Sequence, residues 1–153
     1  MVVEQPVLWV DPGAHTGWAL WTGTIFSSGQ LLRIEAGSRL KEIIGLYSPG
    51  ISVCWEKYLV LPASNIKQDG SATKMIGVLE QLRAEHPYSL IKPKPSSARK
   101  VGLGTLQVVG WYRRGLVHGN DAAAHLLSYL LTYDRLPGNL KQKILDRLEA
   151  DFG

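Results

Sequence analysis

Val7-Leu8-Trp9-Val10-Asp11-Pro12-Gly13 is the stretch on which the fold turns. Four apolar residues in a row are enough for a short buried strand. Asp11 stands at its carboxyl end, and Pro12-Gly13 forces the chain to turn there. A carboxylate in that place has left the core but is still carried by a rigid element, which suits a group that grips a metal ion or polarises a water. Asp before Pro-Gly is also a common turn cap. The stretch by itself supports both readings equally, and the rest of the chain decides between them.

Outward from this strand, Thr16 to Thr22 is rich in aromatic and β-forming residues and predicts a second strand. Thr24 to Arg33 predicts a third, with Gly23 and Gly29 as punctuation. Such short connections favour an antiparallel meander. The period then changes. Leu40, Ile43, Ile44 and Tyr47 share one helical face, with Ser38 as N-cap and Ser48-Pro49-Gly50 as the stop. A second buried strand, Ile51 to Trp55, ends at Glu56 as the first ended at Asp11. Ser71 to Glu85 predicts a helix on its Met75, Ile76, Leu79 and Leu82 stripe, and Tyr88 to Ile91 a short further strand. Lys92 to Ser97 reads as a turn, with Ser96 or Ser97 capping a short helix through Val101. Gly102 to Gly115 fits helix or strand. Gly119 to Tyr133 is a strong helix, and Leu140 to Phe152 an amphipathic one. A meander followed by βα units implies an α/β fold with one mixed sheet and helices on its faces.

The 153 residues predict one domain, with a core over about 6–134 and a C-terminal helix over about 138–152. Hydrophobic residues make up 45% and charged residues 20%, a globular composition. The formal charge of +4 leans towards a polyanionic partner. The single cysteine, Cys54, excludes an internal disulfide and a cysteine-built zinc cage. The chain shows neither a membrane-length apolar run nor a secretory signal pattern, so an intracellular, cytoplasmic protein is expected.

If the first and fourth strands lie side by side and parallel, Asp11 and Glu56 leave the sheet at the same edge. Sites in open α/β sheets lie at the carboxyl ends of strands. A helix starting near His118 would add His118 and Asp121, three apart and so on one face. Carboxylates with one imidazole form an oxygen-rich set that suits Mg²⁺ or Mn²⁺. Two ions about 4 Å apart would clamp an in-line phosphodiester displacement.

Asp11-Pro12-Gly13 with Thr16-Gly17, Glu56 after an apolar strand, and His118-x-x-Asp121 running into an alanine-rich helix together resemble the RuvC Holliday-junction resolvases of the ribonuclease H-like superfamily. The resemblance spans about residues 6 to 134. It implies a five-stranded mixed sheet in the order 3-2-1-4-5 flanked by helices, in agreement with the element count. It implies that Asp11, Glu56, His118 and Asp121 are the metal-binding catalytic residues, with His118 as ligand or general base. It further implies a divalent-metal endonuclease with Mg²⁺ or Mn²⁺, two ions, branched DNA as substrate and a homodimer. Pro95 to Gly102 resembles the basic segment that the family carries after its fifth strand.

Lys92, Lys94, Arg99 and Lys100 cluster after that strand, and Arg113 and Arg114 precede His118; these are the expected phosphate contacts. Lys57 and Tyr58 follow Glu56, where the family carries a wedge residue, and Tyr58 is placed to stack on a base or to join the core. His125 reads as core or as a support for the ligands, His15 as solvated or substrate-facing, and Trp9, Trp18, Trp21 and Trp55 as core. Rival functions are a nuclease of the same scaffold acting on flaps, forks or RNA–DNA hybrids, and a non-catalytic DNA-binding module. An actin-like ATPase lobe also opens with strand, Asp and a Gly-rich turn, but needs a far longer chain.

Overall fold

The computed structural model describes residues 5–57, 70–95, 98 and 100–152. Its elements run β1 (Val7–Asp11), β2 (His15–Trp21), β3 (Phe26–Leu32), α1 (Arg33–Tyr47), β4 (Ser52–Lys57), α2 (Ser71–Glu85), β5 (Ser89–Leu90), β6 (Lys94–Pro95), α3 (Leu103–Val109), α4 (Val117–Thr132) and α5 (Gly138–Phe152). The sheet order is β3-β2-β1-β4-β5, as expected. β1, β2 and β3 form the antiparallel meander, and β4 lies parallel to β1. The short β6 adds a pairing that the sequence did not suggest, Glu56 with Lys94 and Lys57 with Pro95.

Strand alternation sends successive side chains to opposite faces, and here both faces are covered. Val7, Trp9, Ala19, Trp21 and Cys54 face α3, α4 and α5. Leu8, Val10, Trp18, Leu20, Val53 and Trp55 face α1 and α2. By the same alternation Asp11 falls on the α4 side, two residues on from Trp9, and Glu56 does so two on from Cys54. Ala122, Ala123 and Ala124 of α4 are buried in the core on this side of the sheet. Leu126, Leu127 and Leu130 are fully buried in the same helix, each contributing about 1.5–3 kcal/mol. Its position relative to β1 is therefore firmly set.

Several boundaries differ from the sequence reading. α1 begins at Arg33, so Ser38 lies inside the helix and is not its cap. Residues 33–37 contain no breaker before Gly37, and the buried Ala36 extends the Leu40, Ile43 and Ile44 stripe back by one turn. The Arg33 amide, an N-terminal donor without an intrahelical acceptor, donates to the Ala14 carbonyl at 2.9 Å. β5 is shorter than Tyr88 to Ile91; the Tyr88 hydroxyl donates to the Leu79 carbonyl at 2.8 Å, which pins that ring to α2. Of the short helix expected through Val101, Ser96, Ser97 and Arg99 lie outside the described residues. The Ala98 amide donates to the Pro95 carbonyl at 2.9 Å, and the Val101 amide donates to Ser128 Oγ at 2.8 Å. Over 102–115, helix α3 settles the ambiguity: Leu106 and Val109 are buried in the core shared with α4 and α5.

Candidate metal centre

β1 and β4 are in register from Val7–Ser52 to Val10–Trp55. One step further on each strand come Asp11 and Glu56, at the carboxyl edge of the sheet. Asp11 is 1% exposed and Glu56 4% exposed, so neither carboxylate is a solvated surface group. Burying a charge without compensation is strongly unfavourable, and each has a nearby nitrogen. His118 Nδ1 lies 3.0 Å from Asp11 Oδ2. His125 Nε2 lies 3.2 Å from Glu56 Oε1, an ion-pair distance without the alignment of a hydrogen bond.

Two glycines, Gly17 and Gly119, allow α4 to approach this edge. A methyl group on Gly17 of β2 would overlap the His118 carbonyl and the Gly119 amide. One on Gly119 would meet the Gly29 carbonyl at 2.9 Å, and one on Gly29 would meet the Trp18 ring at 2.8 Å. The start of α4 thus lies directly against the backbone of β2 and β3. Its first amides are satisfied from β3: Gln30 Oε1 accepts from the His118 amide at 2.7 Å and from the Gly119 amide at 3.3 Å. Asn120 ties the preceding loop to the helix, accepting from the Arg113 amide and donating to the Arg113 carbonyl.

With the helix seated this way, one donor atom each from Asp11, His118 and Asp121 falls within 4.8 Å of the others. Two carboxylates and an imidazole so close together form a possible metal site, and hard or borderline divalent ions suit such donors. Asp121 also accepts from Lys100 Nζ at 2.7 Å, a half-exposed pair that brings a cation to the cluster. The His15 ring lies parallel to that of His118, with centroids 6.3 Å apart. Glu56 is not part of the three-residue group; its described neighbour is His125, whose ring is stacked on Trp9.

No protein-family model and no curated protein matches the sequence. Solved structures do. The chain is similar to Thermus thermophilus RuvC in complex with a Holliday junction substrate, at 13% identity and a TM-score of 0.60, over 86% of this chain and 97% of that one. A second structure of Thermus thermophilus RuvC matches at 13% identity and a TM-score of 0.51, over 85% and 97%. The fold is RuvC-like and ribonuclease H-like.

On this RuvC-like frame the expected DNA-contacting residues lie as follows. Lys92 and Lys100 are exposed, and Lys94 is half-buried beside β4. Arg113 and Arg114 are both exposed, and the Arg113 guanidinium donates to the Ser28 carbonyl at 2.7 Å and so also fastens the loop to β3. The backbone of Lys57 closes β4; its side chain, Tyr58 and Arg99 lie outside the described residues. No helix among the described residues is long and apolar enough to cross a membrane.

The sequence reading missed Gln30 and the contact between Lys100 and Asp121. Gln30 is one polar residue in a half-buried strand, and nothing local marks it as a cap for a helix 88 positions away. Gly17 was a usable signal, since glycine within a strand often marks a close backbone approach.

Proposed function

We propose that this chain is a divalent-metal-dependent endonuclease that hydrolyses phosphodiesters in branched DNA, with four-way junctions as its main substrate. One observation carries the reading: donor atoms of Asp11, His118 and Asp121 converge within 4.8 Å at the carboxyl edge of the central strand of a RuvC-like sheet. The donor set fits Mg²⁺ or Mn²⁺, and Glu56, on the neighbouring strand, is the candidate for a second ion. Divalent ions held there would supply Lewis-acid activation of water and stabilise the charge that develops on the phosphate.

The chain's own groups have separable tasks. Asp11, buried and carried by β1, gives the site a fixed point. His118, held by its amide on Gln30 and by its ring on Asp11, is a ligand or takes the proton of the attacking water. Lys100 balances the charge of Asp121 and is close enough to the cluster to contact a phosphate oxygen. Lys57, Tyr58, Lys92, Lys94, Arg99, Arg113 and Arg114 are the proposed DNA contacts around it, in a chain with 17 basic and 13 acidic residues. Symmetric cuts across a four-way junction need two such centres, so the working species is a homodimer.

The test is cleavage of end-labelled four-way junction, fork, flap, RNA–DNA hybrid and linear duplex with Mg²⁺, Mn²⁺ or chelator, together with a mass measurement in solution. The proposal expects the junction to be cut best, by a dimer, and cutting to stop with chelator. Preference for flap or hybrid would move the substrate to another branch of the same fold. Junction binding with no cleavage in either metal would contradict the enzyme and support a binding module.

A further inference from the structure

We infer that His125 is a positioning residue for Glu56, holding that carboxylate for a second and weaker metal position beside the Asp11, His118 and Asp121 group. The inference rests on the metal-dependent reading above. His118, Asp121 and His125 stand at i, i+3 and i+7 of α4 and so on one face. His118 and Asp121 serve the three-residue group, while His125, one turn further, meets Glu56. His125 is 3% exposed and its ring lies 3° from parallel with Trp9, at 6.0 Å between centroids. Trp9 itself is locked into β1 two residues before Asp11. The imidazole therefore has little freedom, and its Nε2 lies 3.2 Å from Oε1 of a carboxylate whose backbone is paired with Lys94 of β6.

Such an arrangement explains why Glu56 is placed at the level of Asp11 and yet is not in the three-residue group. The ring stands 3.2 Å from Oε1 and limits where the carboxylate can swing, which is how His125 would set the position from which Glu56 meets an ion. A group that orients a ligand in this way typically sets metal affinity by about 10- to 100-fold. If His125 only filled space between Trp9 and Glu56, its loss would lower stability and leave ion binding alone.

Calorimetric titration of the metal-free full chain with Mn²⁺ separates the two cases, with circular dichroism as a folding control. Wild-type protein should bind two ions with distinct affinities. His125→Leu, which keeps apolar volume and removes the nitrogen, should retain the tighter ion and weaken the second by about 10-fold or more. His125→Gln, which returns a nitrogen donor, should recover part of that loss and serves as the probe if His125→Leu does not fold. Cleavage should follow the second ion, with the Mn²⁺ needed for half-maximal rate rising in the same order. Two ions bound by a folded His125 variant with wild-type affinities overturn the inference, as does a wild-type stoichiometry of one. Wild-type protein that binds no Mn²⁺ and cuts no junction overturns the metal-dependent reading itself.

Discussion

Gly17 of β2 lies directly beneath the His118 carbonyl, so close that a single methyl group there would overlap it. This contact between a strand and the start of α4 is what brings the His118 ring to 3.0 Å from Asp11. Gly17→Ala should push the start of α4 away from the sheet. Overpacking of this kind destabilises by about 1–3 kcal/mol. A fall in melting temperature with loss of Mn²⁺ affinity is the expected result; a variant with unchanged metal binding would show that the close approach does not shape the centre.

Gln30 holds the other side of the same helix start by accepting two of its amides. Removing a cap of this kind costs about 1 kcal/mol. Gln30→Ala should therefore lower stability by about that amount and reduce cleavage by more than the stability loss explains, because His118 loses its anchor. Urea unfolding and single-turnover cleavage, measured on one preparation, check both halves.

The frame was legible because its signals are local. Asp11 and Glu56 each end an apolar run, and parallel pairing of β1 with β4 places them side by side. The His118 and Asp121 spacing needs only helical geometry. What escaped the sequence was decided by contacts distant along the chain. Arg33 entered α1 because its amide found Ala14, and Leu103 to Val109 became a helix because α4 and α5 cover its apolar side. Glu56 turned to His125 through a side-chain choice that no spacing encodes.

Lys100 and Asp121 form a half-exposed ion pair. Pairs of that kind are worth little, at most about 1 kcal/mol, so Lys100→Ala should leave the melting temperature nearly unchanged. Junction affinity should fall, and the salt dependence of binding should lose about one unit of slope, as expected for one phosphate contact. Equal slopes for variant and wild type in a salt titration would remove Lys100 from the DNA interface.

Burial pushes the Cys54 thiol from 9.0 up to about 12 and the Tyr88 phenol from 10.0 up to about 12. The folded chain therefore keeps protons that the unfolded chain releases. Their contribution to stability is complete below about pH 9 and is lost as pH climbs towards 12. Melting temperature should fall over that window, and less steeply in Cys54→Ala. Native Cys54 should resist iodoacetamide at pH 8 and react once the chain is unfolded.

The central claim is that Asp11 anchors a metal-dependent cutting centre and is not a turn cap. Asp11→Asn keeps the shape of the side chain and its capacity to accept a hydrogen bond, and removes the charge that a divalent ion requires. Single-turnover cleavage of a labelled four-way junction in Mg²⁺, with junction binding measured alongside without metal, tests it directly. The prediction is cleavage reduced by at least about 100-fold, the upper range for loss of one group in such a centre, with junction binding close to wild type. Cleavage by Asp11→Asn at the wild-type rate would contradict it.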